Sequence, residues 1–586
     1  MAAPSKSWLS SGPFVLFDDA RSDGAPARLY RDPVEIVSTQ DPAEVPALLD
    51  RLGQGGDWAG FLTYEAGLAL EPKLAHRLRP SDLPLLWFAR FDAHDRLSEA
   101  ELMALLPPAD GGWAGTPRPR LSRADYTQAL DHVQALIEAG DIYQANLTLR
   151  SDVSLAGSPL AIYAGLRQRA RAGFGGIVWT GADWFLSLSP ELFFALKDGK
   201  VTTKPMKGTA TRGQDAAQDA ALVDQLRHDP KQRAENLMIV DLLRNDLSRV
   251  ACPGTVEVPQ LFTVESYPTV HQMISTVTAR LTPEAGVADL IAAIYPCGSI
   301  TGAPKIRAME IIDAVETGPR GIYTGSIGRV DANGDAAFNV AIRTLHVSAG
   351  AATGTLGLGG GIVADSRVAE EWEECLAKGR FVADQRCFDL IETMRFDPQE
   401  GLAWLDLHLA RLAASAAALD VRFDRHAVRN ALQAATLRLD TPRRVRLLVS
   451  RTGQVALEIG PLPAPPQGPV QVSVAPLPVD PADFRLRHKT TDRAFYDVAR
   501  QAGARFETIF VDPDGWLTEG SFTNIFVQKD GLWLTPPATR GLLPGVLRAA
   551  MLRDGSAQEA DLRCADLADG FYIGNALRGL MPAQLA

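Results

Sequence analysis

The sequence predicts an α+β chain of at least two units, and three observations carry that prediction. At 586 residues the chain exceeds what one hydrophobic core holds. Short apolar runs alternate with turn residues and then give way to helical periodicity within the same stretch. The pattern then restarts at "RCFDLIETMRFD", so a first unit is expected over residues 1–382, with its core at about 120–380, and a second over 386–586.

Residues 1 to about 115 carry runs such as "FVLF" and "WAGFLTYEAGLAL" and end in the loop "PPADGGWAGTPRPR", which reads as strands and short helices. A helix follows in "SRADYTQALDHVQALIEAG". Ser122 can cap it, and Tyr126, Leu130, Val133 and Ile137 recur on one face. Further on, "AAFNVAIRTLHV" alternates as a strand. "SRVAEEWEECLAKGRFVA" reads as a helix with Val368, Trp372, Cys375, Leu376 and Gly379 inside. In the second unit a strand and hairpin lead to the helix "LDLHLARLAASAAAL". The stiff segment "GPLPAPPQGP" joins strands or sub-domains, and "ETIFVDPDGWLTEGSFTNIFVQKDGLWLTPP" reads as an antiparallel meander.

Composition excludes several function classes. The net charge is -11, with 22% charged residues and no long basic run, so neither nucleic acid nor an anionic membrane is an expected partner. The five cysteines are far apart without CxxC spacing, which suits reduced thiols and excludes a zinc ribbon. The start "MAAPSKSWLSSGPF" has no apolar leader core and no stretch reaches a membrane span, so a soluble, cytoplasmic protein is the expectation.

Several segments of the first unit carry groups that bind carboxylates. In "GSITGAPKIRAMEIID", Pro304 stands where a helix starts, so first-turn N–H groups and the Thr301 hydroxyl can face an anion. Gly357, Gly359, Gly360 and Gly361 let backbone N–H groups approach a ligand, although such a cluster is more often a turn. Arg343, expected on the strand "NVAIRTL", offers a planar fork, although a strand arginine is more often in a surface pair. Glu371 and Glu374 share one side of a helix, and Glu235 lies in "RAENLMIVDLLRNDL". They are either a solvated face with a Glu374–Lys378 pairing, or carboxylates that converge on one Mg²⁺. Asp241, Arg244 and Asn245 read as a buried structural ladder. Lys207, in "TKPMKGT", is either a solvated cation or an amine held for chemistry.

These segments, together with "SPELFF", "YPTVHQMIS" and "RGIYTGSIG", occur in an order that resembles the chorismate-utilising enzymes over most of residues 120–380. The resemblance implies a two-layer α/β sandwich with its pocket between the layers, and chorismate bound with Mg²⁺. It implies that Glu235 and Glu374 ligate the metal with Glu371 beside them, and that Arg343 and Tyr323 hold the enolpyruvyl carboxylate. It puts Thr301, Gly359, Gly360 and Gly361 by the ring carboxylate, His271 near the ring and Thr209 on the substrate. Gln232 stands where some relatives carry a further acid. Anthranilate synthases usually have alanine before the Gly-Thr pair, and aminodeoxychorismate synthase component I has lysine, which Lys207 matches. A lysine nitrogen adding at C2 and expelling the C4 hydroxyl, followed by ammonia at C4, replaces hydroxyl by amine with retained position. The amine must be neutral to attack, and Glu191 is the expected general acid and base. Lys204 is read as supporting. No Gly-x-Cys-x-Gly elbow appears, so ammonia is expected from a separate glutamine amidotransferase subunit, component II.

A pyridoxal phosphate enzyme needs a lysine for the cofactor, an acid at the pyridine nitrogen and a cup of N–H groups for the phosphate. Lys489, Glu519 and the helix opening at Gly545, Val546 and Leu547 are candidates, each with an ordinary alternative as surface lysine, strand-end glutamate or plain helix start. With "FDLIETMR", "HLARL" and "FYIGNALRGLMP" they resemble the fold-type IV, D-amino acid aminotransferase-like enzymes over nearly all of 386–586. The resemblance implies that Arg411 helps hold the phosphate and that Asn524 lies close to the cofactor. "GNALRG" looks more like aminodeoxychorismate lyase, with Arg578 on a substrate carboxylate. Val546 and Leu547 replace the loop hydroxyl of some relatives, so backbone N–H groups carry the phosphate there. Relatives dimerise through this unit, and a homodimer is an open alternative. Together the resemblances imply 4-aminobenzoate synthesis, a folate precursor route. The competing readings are anthranilate synthase component I fused to a branched-chain or D-amino acid aminotransferase, and a silent sensor binding chorismate and pyridoxal phosphate.

Overall fold

The computed structural model describes residues 12–267 and 270–586. It divides into two compact units. One comprises residues up to Leu106 with Thr116–Val153 and Tyr163–Ala383; the other comprises Pro107–Gly115, Ser154–Ile162 and Asp384–Ala586. No described helix is long and apolar enough to cross a membrane. All five cysteines are free thiols.

The first unit is built on an 11-stranded and a 10-stranded sheet. Early strands extend both: Phe14–Asp18 and Ala27–Arg31 belong to the first, Glu35–Thr39, Asp57–Leu62 and Leu86–Phe91 to the second. Apolar side chains meet between the layers. Phe61 of one sheet lies 4.5 Å, ring centroid to ring centroid, from Phe185 of the other, within a core that includes Trp87, Ile322 and Ile327. The helix Arg123–Glu138 forms for the reasons its sequence gives. Ser122 Oγ accepts the Asp125 N–H at 3.2 Å, and Tyr126, Leu130 and Val133 are buried. Tyr126 packs on Trp372 of the helix Val368–Gly379, with centroids 5.3 Å apart.

Two expectations for this unit need correction. "AAFNVAIRTLHV" is not one strand. Ala336–Asn339 belongs to the 10-stranded sheet and Thr344–Ser348 to the 11-stranded one. The chain crosses between sheets over Val340–Arg343, and Arg343 has φ 50°. Consecutive burial of Val340 and Ala341 breaks the period of two, so Arg343 sits on a strained turn. Asp241, Arg244 and Asn245 are exposed, not a buried ladder. Arg244 and Asp241 make a surface pair at 2.8 Å, while the buried acid is Asp246, which pairs with Lys305. On a helix a shift of one residue turns the face by about 100°, enough to reverse the assignment.

The second unit has a 4-stranded and an 8-stranded sheet. The segment 462–469 leads from Val455–Pro461 in the first to Val470–Pro476 in the second. The expected meander is only two hairpins. Glu507–Val511 pairs with Leu517–Gly520, and Asn524–Lys529 with Leu532–Thr535, but the two hairpins lie apart in the sheet. Val470–Pro476 runs parallel to both of its neighbours, Glu507–Val511 and Gly579–Leu585. Alternation fixes which side chains face inward but not which strands pair.

Candidate active sites

Lys207 lies on the strand Met206–Thr211, whose register with Val270–Arg280 slips between Met206 and Thr209. Gly208 takes φ 97° at this bulge, a conformation that favours glycine. The bulge releases Lys207 from the ladder and turns it onto the glycine-rich strand Thr353–Ile362. A Cβ on Gly361 would stand 3.3 Å from Lys207 Nζ and 2.7 Å from Gln144 Nε2. The glycines therefore form a strand that makes room for side chains, rather than a loop around a ligand. Gly357 admits the Tyr323 ring, 2.0 Å from where its Cβ would be.

Burial holds the Lys207 amine below its ordinary value, with Lys378 pushing the same way and Glu235, Glu191 and Glu374 opposing. Burial pushes Glu191 up to about 7, against the Ser299 hydroxyl, which donates to Oε1 at 2.8 Å, and against Lys207. The two groups feel each other's charge, and burial favours the neutral form of both the amine and the acid. Gln144 is fully buried, and among the described residues neither of its amide atoms has a partner.

Glu235 is raised by burial and by Glu371 and Glu374, against Lys207 and Lys231. Glu371 is raised by burial and by Glu374, although Ser366 Oγ donates to it at 2.7 Å. Glu374 resists the upward push of burial and is held low by Lys378, whose Nζ is 2.8 Å from Oε1. The i, i+4 pairing weighed from sequence is thus present. Among the described residues no three His, Cys, Asp or Glu are gathered as metal ligands. The three carboxylates nevertheless feel one another's charge, and an all-oxygen donor set of this kind suits a hard divalent cation.

The remaining residues of this site are placed unevenly. Tyr323 is buried near Arg320, Glu316 and Cys375, and burial lowers the Arg343 guanidinium, with Tyr267 opposing. The turn bearing Tyr323 is held by Glu65, which accepts the N–H groups of Arg320 and Gly321 at 2.6 and 3.1 Å. The Thr301 hydroxyl donates to backbone carbonyls of Cys297 and Gly298 at 3.1 and 3.3 Å, so its proton does not face an anion. His271 is fully buried, with Nδ1 2.8 Å from Ser266 Oγ and Nε2 2.9 Å from Asp219. Both of its nitrogens are engaged within the protein. Thr209 is exposed, 3.2 Å from Gln272 Oε1. Lys204 is 3.9 Å from Glu265. Motif reading missed Gln144, Ser299 and Lys378 as site groups. The one available signal was a glutamine inside the apolar run "IYQANLT".

In the second unit a cavity of about 750 Å³ is lined by Lys489, Glu519, Arg411, Asn524, Gly545 and Val546, and also by Arg444, Arg446, Arg493 and Arg578. Burial lowers the Lys489 amine to about 7, with Arg411 adding to the effect, and its Nζ lies 3.3 Å from Thr393 Oγ1. Burial pushes Glu519 up to about 8, although the Tyr496 hydroxyl donates to it at 2.5 Å. Arg411 forks onto Glu392 at 2.9 and 2.6 Å and donates to the Pro544 carbonyl at 3.1 Å. Gly545 caps the helix Val546–Arg553, and a Cβ there would meet Asn524 Oδ1 at 1.9 Å. Asn524 in turn donates to the Leu543 carbonyl at 3.1 Å. Leu547 packs with Phe526 and Met551. Arg578 lies over the Phe506 ring at 5.6 Å. A buried lysine near neutrality, a protonated acid and free N–H groups at a helix start fit pyridoxal phosphate.

A family model described as chorismate binding enzyme matches residues 22–384. The chain belongs to that family. A second model, amino-transferase class IV, matches residues 389–586 and implies pyridoxal phosphate. Aminodeoxychorismate synthase component 1 of Klebsiella aerogenes is 46% identical over 261 residues, 44% of this chain and 57% of that protein. The protein of the same name from Bacillus subtilis (strain 168) is 33% identical over 405 residues, 63% of this chain and 83% of its own length. Anthranilate synthase component I from Streptococcus pneumoniae TIGR4 superposes with a TM-score of 0.53 at 26% identity, covering 61% of this chain and 92% of that one. The chain spans little more than half the length of curated relatives such as the Klebsiella protein. The two fold families expected from the motifs are those found.

Proposed function

We propose that this chain makes 4-aminobenzoate from chorismate and ammonia, in two reactions at two sites. In the first unit the neutral Lys207 amine adds at C2 of chorismate, and the C4 hydroxyl leaves with a proton from Glu191. Ammonia then adds at C4 and expels Lys207, which leaves 4-amino-4-deoxychorismate. Glu235, Glu371 and Glu374 would hold Mg²⁺, which supplies positive charge for a substrate carboxylate. Gln144 is an amide without basicity, and Lys207 is the amine next to it against Gly361. Ammonia is supplied by a glutamine amidotransferase subunit, a reading supported by the words "component 1" in the relatives' names.

In the second unit pyridoxal phosphate, when bound, supplies an electron sink. Lys489, close to neutrality, takes the C4 proton of the aminated substrate. Glu519 would hold the cofactor at its ring nitrogen, and the N–H groups of Gly545, Val546 and Leu547 would hold its phosphate. Asn524 keeps that helix start in place, and Arg411 stands beside it. Arg578, with Arg444 and Arg446, gives the cavity positive charge for a substrate with two carboxylates. Pyruvate leaves as the ring becomes aromatic. The unpaired cysteines agree with a cytoplasmic chain.

The observation that carries this reading is Lys207, a buried amine held below its ordinary value that feels the charge of Glu191, itself raised to about 7. The test exchanges the two lysines. Lys207→Ala is expected to stop amination of chorismate while sparing pyruvate release from supplied 4-amino-4-deoxychorismate, and Lys489→Ala to do the reverse. Equal behaviour of the two variants contradicts the two-site reading.

A further inference from the structure

In the second unit His408 and Arg411 stand one turn apart on the helix Leu405–Ala418, and both bond Glu392 of the strand Leu390–Asp397. His408 Nδ1 is 2.6 Å from Glu392 Oε2. Glu392 is held far below the usual carboxylate range, against burial, by Arg411 and His408, so it is an acceptor only and Nδ1 carries the hydrogen. In the neutral ring the lone pair is then on Nε2. That atom is buried and has no partner among the described residues, and His408 is 1% exposed. The groups that face it are Glu392, Arg411 and Lys489. Arg411 donates to Glu392 and Pro544, and Lys489 to Thr393, so none of their described hydrogen bonds reaches Nε2. Yet His408 lines the same cavity as Gly545 and Val546, the start of the helix assigned above to the phosphate.

We propose that His408 is a ligand of the cofactor's phosphate, binding through Nε2 as an imidazolium that takes up one proton when the phosphate dianion enters. This rests on the pyridoxal phosphate reading of the second unit. The chemistry balances without a further reactant: one solvent proton moves onto Nε2, and the N–H so formed donates to a phosphate oxygen. Nδ1 keeps its bond to Glu392, and the ring bridges the two anions. Burial holds the unliganded ring below its ordinary value, so it is neutral until the dianion arrives. The helix start carries Val546 and Leu547 and offers no hydroxyl, so His408 supplies the side-chain hydrogen bond that it lacks.

The test uses the full chain resolved of its cofactor, with pyridoxamine 5'-phosphate and pyridoxamine as probes, since neither bonds covalently to Lys489. Any titration of Lys489 and Glu519 is common to both, so their difference isolates the phosphate. Calorimetry near pH 8 in two buffers of unlike ionisation enthalpy is expected to show about one more proton taken up with the phosphorylated probe. Above neutrality its Kd, relative to pyridoxamine, is expected to rise about tenfold per pH unit. His408→Gln should weaken the phosphorylated probe by about ten- to a hundredfold, remove the extra proton and change pyridoxamine less than about threefold. Equal proton uptake for both probes in the unaltered chain overturns the proposal without recourse to a variant, as does equal weakening of both probes by His408→Gln. If the unaltered chain binds neither probe, the cofactor reading itself falls, and this inference with it.

Discussion

Replacing Ser299 by alanine tests the first site through the group that acts on Lys207's behalf. Ser299 Oγ donates to Glu191 Oε1 at 2.8 Å, and both side chains are buried. This bond favours the charged carboxylate, against the burial that raises Glu191 to about 7. Hydrogen bonds to charged groups are worth about 1.5–3 kcal/mol, and one pKa unit corresponds to about 1.4 kcal/mol. The variant should therefore move the Glu191 titration upward by roughly one to two pH units. Because amination needs Glu191 protonated, its rate falls as pH rises through this titration, and the descending limb should move upward by the same amount. The assay is chorismate consumption from about pH 6 to 10, with free ammonia held constant across the series so that its own titration does not enter. A limb that stays put or moves down refutes Glu191 as the acid.

Other outcomes follow from the same geometry. Gly361→Ala should lower amination by about a hundredfold, because its Cβ would stand 2.7 Å from Gln144 Nε2 and 3.3 Å from Lys207 Nζ; a near-normal rate would show that Lys207 needs no such fit. Glu392→Gln breaks a buried ionic cluster and should cost about 3–5 kcal/mol in chemical denaturation of the second unit, with little change in the first. Glu374→Gln should lift the Mg²⁺ concentration that half-saturates amination at least tenfold and leave pyruvate release unaltered. Tyr126→Ala, at a fully buried side chain packed on Trp372, should destabilise the first unit by about 3–5 kcal/mol.

Much of this molecule was legible in its residues, and the parts that were not share physical causes. The helix from Ser122 could be read because its cap and apolar stripe are local. Arg343 was misplaced because alternation cannot register a crossing from one sheet to another; consecutive burial at Val340 and Ala341 is visible only in three dimensions. The glycines at 357–361 belong to a strand because their missing side chains admit Tyr323, Gln144 and Lys207, which come from distant parts of the chain. Ser299 and His408 act through contacts with residues 108 and 16 positions away, which no local pattern encodes. His271 and Thr301 were expected at the substrate from resemblance, and their polar atoms instead bond the protein itself.

The most direct measurement of the central claim is product analysis of the purified full chain given chorismate, Mg²⁺ and an ammonium salt, with pyridoxal phosphate present. The account predicts 4-aminobenzoate and pyruvate in equal amounts, with 4-amino-4-deoxychorismate accumulating only when Lys489 is replaced. Anthranilate as the aromatic product, or tight binding of chorismate without turnover, contradicts it.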